Sequence, residues 1–445
     1  MHTAGFFYAH FMVYSATIMN TTCLYTSVSG IISAPPSKSS MQRAVACAML
    51  ADGISLIRNP AFCDDARAAM GIASAFGAGA ELSNDSVQIS GSPLFKNRTT
   101  MSENAGSLEV SCGESGLSMR MFAPISALLS RPVRLVAHGS LTRRSMVMVQ
   151  EALNAMGVSC DSADGLPPLT VKGPLLPGIY HIDAGASSQF LTGLLMALPL
   201  LAGDSVLRVS NPVSTGYLDL TVATMGLFSV KVEHINNYSR FEIPGGQRYV
   251  PATMSVEGDW SGAAFLLAAA ALGAKERPLR IENLQPASSQ PDRAILTVLE
   301  AVGADVVAEP NAVSVRSNDL RPFDFDAADC PDLFPPLAVL AAACHGTSRI
   351  HGTRRLAGKE SNRALTIQDT LGTLGARIHL EDDDMIIEGS RLHGGAVDAH
   401  QDHRIAMMAA VASLAAGEPV IIMGSECVAK SWPGFFTDFA SISDI

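Results

Sequence analysis

The chain has 445 residues, 31 Lys and Arg against 42 Asp and Glu, a formal net charge of −11, and a mean hydropathy of +0.24. That length is a prior for two or three domains, and the acidic balance argues against a nucleic-acid footprint. Charged residues or Pro interrupt each apolar helix short of the roughly 18 residues that a membrane span needs.

The first 24 residues, within "MHTAGFFYAHFMVYSATIMNTTCLY", lack the basic start of a secretory signal and read as a loose extension. Next, "APPSKSSMQR" at 34–43 places two prolines and a run of serines before an apolar stretch, so a helix is expected to begin near Ser39 or Ser40. Lys38 and Arg43 flank its free N–H groups. Such a helix start suits a phosphate, although no Walker loop precedes it.

Five segments then repeat one pattern: a helix ending in Gly, a strand, a polar turn and a second strand. They begin at Ala75, Ala155, Thr224, Ala301 and Thr373, with key glycines Gly77, Gly157, Gly226, Gly303 and Gly375. Each spacing is that of a compact α/β unit rather than of a solenoid repeat. Glycine past each helix end suits a left-handed cap, and alternation in "SVQIS" or "MIIEG" suits strands with one buried face. A sixth hairpin is expected in "CLYTSVSGIISAP", and the last helix, "WPGFFTDFASI", has none after it. Joining the chain ends would complete the sixth unit. Three units plus three make two similar domains, 37–256 and a discontinuous 25–36 with 257–445, with crossings near Pro36 and Val256.

Basic residues are sparse, yet they recur where apolar helices begin. Gly113, Gly116 and Arg120 lie in "CGESGLSMR", and Arg143 and Arg144 in "GSLTRRSM"; Ser187, Ser188 and Gln189 open "SSQFLTGLLMALPLL". "RRLAGKESNR" brings Arg355, Lys359, Glu360 and Arg363; "QDHRIAMM" brings Arg404, and "CVAKSWPGFF" brings Lys430. The eight cysteines (23, 47, 63, 112, 160, 330, 344 and 427) form no C-x-x-C pair and read as reduced, buried thiols of a cytoplasmic protein.

In this order the motifs P-S-K-S-x-x-x-R, G-x-x-G-x-x-x-R, S-S-Q-F-L-T, K-E-S-x-R, D-H-R and A-K-S-W-P strongly resemble the 5-enolpyruvylshikimate-3-phosphate (EPSP) synthase family. The resemblance implies an enolpyruvyl transferase-like, inside-out α/β barrel fold: two domains of three βαβαββ units with the active site in the cleft between them. It implies transfer of the enolpyruvyl group of phosphoenolpyruvate to the 5-hydroxyl of shikimate 3-phosphate with release of phosphate, no cofactor or metal, and a monomer. On the family pattern, Lys38, Ser39, Arg43, Ser187, Ser188, Gln189, Ser214, Tyr217, Asp332, Arg355 and Lys359 meet shikimate 3-phosphate. Lys38, Gly116, Arg144, Gln189, Arg363, Arg404 and Lys430 meet phosphoenolpyruvate. Asp332 matches the base and Glu360 the proton donor, with Lys38 also at the reaction centre. Read from the residues alone, Asp332 is a helix cap before "FPPLAVLAAA". The chain departs from the family at Glu114 and at Arg355, which stands where an Asn is usual.

Besides a non-catalytic phosphate-binding protein that keeps the cations but lacks turnover, two other readings compete. One is the sister transferase acting on UDP-N-acetylglucosamine, whose lysine is followed by Asn rather than by Ser39. The other is a metallohydrolase using "DAHQDH" at 398–403, which lacks the later histidine ligands. Finally, the clustered cations are expected to repel one another and to hold the two halves apart until an anion binds.

Overall fold

The computed structural model describes residues 19–83, 85–96 and 106–444. Six sheets within them share one design. In each, two strands run parallel and one of them also pairs antiparallel with a third, which in five of the six is the inner strand of a hairpin. Leu108–Ser111 and Val133–Val136, for example, are parallel, and Val133–Val136 pairs with the Leu166–Lys172 strand of the hairpin that starts at Ser159. Five sheets have four strands. The sixth has three among the described residues: Gly395–Asp398 runs parallel to Val420–Met423, which pairs with Asn20–Cys23.

All five hairpins expected from the repeat are present. Gly77, Gly157, Gly303 and Gly375 have φ of +88°, +80°, +88° and +93°, where an L side chain would be strained. The third unit differs. Its helix, Thr215–Leu227, runs past Gly226, and the left-handed residue is Ser229 at φ +66°. The sixth hairpin does not form as expected. Instead Ser27–Val28 pairs with Ser443–Asp444, and Gly30–Ser33 runs parallel to Leu279–Glu282. Residues 1–18 of the anticipated loose extension lie outside the described residues. Its remainder is not loose, because Asn20–Cys23 is a paired strand whose Cys23 is fully buried and whose Thr21 hydroxyl donates to Ser425 at 2.8 Å.

The buried side chains form two clusters. One gathers residues from Met41 to Val256; the other joins Cys23–Ala34 to Trp260–Ile442. On that division we propose two lobes, 37–256 and 19–36 with 257–444. The connections cross side by side: Ser37 N–H donates to Glu257 O and Asp259 N–H to Pro35 O, each at 2.8 Å. Within the lobes the most apolar helices lie inside the sheets. All 14 residues of Trp260–Gly273 are buried, as a helix without a polar face requires, and it packs on Phe334–Ala342 and His403–Ala416.

In the first lobe, helices Gly116–Ser126 and Gln189–Ala197 pack closely enough that a Cβ on Gly193 would lie 2.2 Å from the Met121 carbonyl oxygen. Both helices begin at residues singled out above, so this approach sets the spacing of Gly116 and Gln189. Gly193→Ala is therefore expected to lose about 2 kcal/mol in urea unfolding, despite alanine's higher helix propensity. A gain in stability would refute the close approach.

Candidate active site

Helix starts from both lobes converge on one cleft. Lys38 opens the Lys38–Leu50 helix, one residue earlier than expected, because Ser37 is the cap and its hydroxyl accepts from Ser40 N–H at 3.3 Å. Lys38 Nζ lies 2.9 Å from Asp65. Burial pushes Lys38 down, but Asp65, with Glu360 and Cys63 adding to it, outweighs burial and the charge of Arg404, and the pKa is raised. Ser39 lines the cleft, and its carbonyl accepts from Arg43 at 2.8 Å. Arg43 is 2% exposed, and its other hydrogen-bond acceptors are also uncharged: the hydroxyls of Thr221 and Thr192 and the carbonyl of Tyr217. Burial pushes it down to about 10. A buried guanidinium with no carboxylate partner among the described residues is suited to an anionic ligand.

Gly116 begins its helix under a Ser115 cap, and a Cβ there would stand 2.7 Å from Arg144 Nη1 and 2.9 Å from Arg120 Nη1. Bare backbone therefore faces two guanidinium groups. Burial, and then the charge of Arg144, push Arg120 down to about 9. Ser187, Ser188 and Gln189 start the next helix. The Ser187 hydroxyl accepts from Gln189 N–H at 3.2 Å, and Gln189 Oε1 accepts from Arg120 at 3.0 Å. Ser214, held at φ +51°, and Tyr217 stand at the start of Thr215–Leu227.

The second lobe builds its wall around Arg363, whose side chain is 1% exposed and bonds three carboxylates: Asp332 at 2.6 Å, Glu360 at 2.5 Å and Asp402 at 2.8 Å. Asp332 is not a helix cap, contrary to the bare-sequence reading. It lies in the Pro331–Leu333 turn and also accepts from Lys359 at 3.2 Å and Arg404 at 3.1 Å. Burial pushes Asp332 up, but Arg404, Lys359 and Arg363 hold it well below the usual carboxylate range. For Glu360, burial is likewise outweighed by Arg363, Arg144 and Lys430.

Several contacts join the lobes. Arg355 donates to Gly185 O at 2.8 Å and to Ser214 Oγ at 3.1 Å, while Ser214 N–H donates to Asp329 at 2.8 Å. Arg144 donates to Gly358 O at 3.2 Å and lies 3.6 Å from Glu360. Lys430 alone of the residues singled out for a site role is absent from the cleft lining. It stands just behind Asp65, at 3.4 Å, and donates to Glu114 O at 2.6 Å. In this structure the halves are in contact, with carboxylates interleaved among the cations.

Those carboxylates are what reasoning from cations missed. Asp65, in the first turn of Asp64–Ala75, looks like a helix-start acid, and Asp402 looks like the cap of His403–Ala416. Nothing in their local sequence says that they also face arginine or lysine. Glu114 accepts from Ser140 N–H at 3.0 Å and Ser140 Oγ at 2.9 Å, so it caps the Gly139–Arg143 turn leading to Arg144. His403 lines the cleft, fully buried. His400 pairs with Asp369 instead, and no metal-holding cluster of His, Cys, Asp and Glu occurs among the described residues. Arg143 is exposed and outside the lining.

The profile of the family described as EPSP synthase (3-phosphoshikimate 1-carboxyvinyltransferase) matches residues 25–439. The chain is 36% identical to the 3-phosphoshikimate 1-carboxyvinyltransferase of Clostridium kluyveri, over 94% of this chain and 96% of that protein. It is 37% identical to the Clostridioides difficile protein of the same name, over 95% and 97%. Among solved structures, EPSP synthase from Acinetobacter baumannii superposes with a TM-score of 0.79 at 24% identity, covering 96% of this chain and 98% of that one. The enolpyruvyl transferase NikO from Streptomyces tendae gives 0.74 at 18% identity, with the same coverage.

Asp402 is fully buried and accepts from Arg363, Ser361 and the Arg404 N–H. Asp402→Asn keeps the shape but leaves Arg363 short of a charge, so a loss of about 3 kcal/mol is expected in denaturant unfolding. A loss below about 1 kcal/mol would show that Asp332 and Glu360 suffice to hold Arg363.

Proposed function

We propose, for a chain that belongs to the EPSP synthase (3-phosphoshikimate 1-carboxyvinyltransferase) family, a division of labour among the cleft residues in the family reaction. The enzyme transfers the enolpyruvyl group of phosphoenolpyruvate to the 5-hydroxyl of shikimate 3-phosphate and releases phosphate. The observation that carries the assignment is the convergence of seven Lys and Arg side chains and the carboxylates of Asp65, Asp332 and Glu360 on one lining. Both substrates bear a phosphate and a carboxylate, and a cleft with excess positive charge and several helix N-termini suits them.

Shikimate 3-phosphate is assigned to Ser187, Ser188, Ser214, Tyr217 and Arg355 at one end, with Lys38, Ser39, Arg43, Gln189, Asp332 and Lys359 around its ring and carboxylate. Arg355 supplies a forked, charged donor where the family has an amide. Phosphoenolpyruvate is assigned to Lys38, Gly116, Arg144, Gln189, Arg363, Arg404 and Lys430. Asp332 is the base for the 5-hydroxyl, and Glu360 protonates the methylene carbon.

In the absence of substrate the ion pairs oppose those roles, because both carboxyl groups are held strongly ionised. Substrate binding resolves the conflict. The phosphate and carboxylate of phosphoenolpyruvate draw on Arg144, Arg363, Arg404 and Lys430, the cations that hold Glu360 and Asp332 down. As substrate anions take over those cations, each carboxyl gains proton affinity. Glu360 then gives a proton in addition and recovers one in elimination. One chain supplies every residue of this site, so a monomer suffices. Seven buried thiols and a partly buried Cys427 fit a reducing cytoplasm.

Asp332→Asn and Glu360→Gln are each expected to lower turnover about 10²- to 10⁴-fold in a phosphate-release assay with both substrates. Substrate affinities should change far less. Near-normal turnover in both variants would rule out the assignment, and no phosphate release by the unaltered chain would overturn the reaction itself.

A further inference from the structure

Behind the cleft, on the second lobe, the Pro291–Ala294 turn carries Asp292. Its side chain is completely buried, and Oδ2 accepts the hydroxyl of Tyr217, a first-lobe residue, at 2.6 Å. Oδ1 is buried with no hydrogen-bond partner. A carboxylate with one oxygen unsatisfied in the interior is costly and is a candidate for function rather than for stability.

The surroundings fix this pair. A Cβ on Gly216, beside Tyr217, would lie 2.5 Å from the Ser289 carbonyl oxygen, so the Thr215–Leu227 helix rests directly on the turn. The Gln290 side chain accepts from Ser37 Oγ and Trp260 N–H and donates to Gly258 O at 2.8 Å, tying the same turn to both crossings. Tyr217 in turn lies under the Arg43 guanidinium, 5.6 Å from ring centroid to Cζ, and accepts from it through its carbonyl.

We infer that Asp292 is a positioning residue for the enolpyruvyl transfer: it fixes the Tyr217 hydroxyl across the lobe junction, and its charge bears on Asp332. The inference rests on the functional reading above, which places Tyr217 and Asp332 at shikimate 3-phosphate. The groups facing Asp292 are Asp332 and Cys330 on the neighbouring turn, Arg404 on His403–Ala416, Asp259 at the start of Trp260–Gly273, and Tyr217. Burial first, then the charge of Asp332, push Asp292 up to about 6 against the pull of Arg404. Above that pH it is an anion that strengthens Asp332 as a base. As pH falls through it, Asp292 takes up a proton, Asp332 loses its negative neighbour, and turnover drops.

The test uses the full chain with shikimate 3-phosphate and phosphoenolpyruvate across pH 5 to 9. Asp292→Asn is expected to lower kcat/KM for shikimate 3-phosphate about tenfold at pH 8, with KM for phosphoenolpyruvate within about twofold. It should also abolish the acid limb near pH 6. Tyr217→Phe should raise KM for shikimate 3-phosphate about tenfold, and the double variant should be no worse than the weaker single one. A pH profile in Asp292→Asn that superimposes on that of the unaltered chain overturns the inference, as does an equal rise in both Michaelis constants. If Asp292→Asn does not fold, Tyr217→Phe decides alone, and an unchanged KM for shikimate 3-phosphate overturns it. An unaltered chain without turnover overturns the functional reading instead.

Discussion

The interior of this cleft depends on a charge balance centred on Arg363. A guanidinium 1% exposed to solvent cannot stay there unpaired, and three carboxylates answer it. One of them, Asp402, is structural: it caps a helix and locks the arginine in place. The other two, Asp332 and Glu360, are shared with Arg404, Lys359 and Arg144, so each of those carboxylates answers more than one cation. That sharing explains how an acidic protein concentrates basic groups in one place and still brings its two lobes into contact. At Arg363 an incoming anion therefore meets carboxylates already in place, whereas Arg43 has no such partner among the described residues.

Much of this was legible in the chain, and for physical reasons. The repeat could be read because each unit ends a helix with a residue at positive φ, a demand that glycine meets at four of five places. At the third, Thr215–Leu227 runs on past Gly226 and Ser229 takes the left-handed position, a substitution that glycine counting cannot detect. Lys38, Gly116, Gln189 and Arg363 could be found because they begin helices, where caps and apolar runs mark the boundary. Asp65, Asp292 and Asp402 could not. Each looks locally like an ordinary helix-start acid, and its charge or hydrogen-bond partner is in most cases supplied by another part of the chain.

The strands at the chain's start were misjudged for a related reason. "CLYTSVSGIISAP" has the alternation of a hairpin, but its pieces pair separately with residues 279–282 and 443–444, and the residues just before them pair with 420–423. Pairing over some 400 positions leaves no local trace beyond the absence of a hairpin at the other end. That absence allowed the meeting of the two ends to be anticipated while the register was not.

The same closure has a consequence for how the molecule is made. On the ribosome, residues 20–23 emerge some 400 residues before Val420–Met423, so at typical translation speeds that strand waits about 20 to 80 s for its partner. The 37–256 lobe, whose buried cluster is drawn from one continuous stretch, can meanwhile condense. The leading strand is left as an open edge, the state most exposed to pairing with a neighbouring nascent chain. Completion of this fold therefore waits on residues 420–444, and a chain stalled short of them would carry one finished lobe and one set of unclaimed strands.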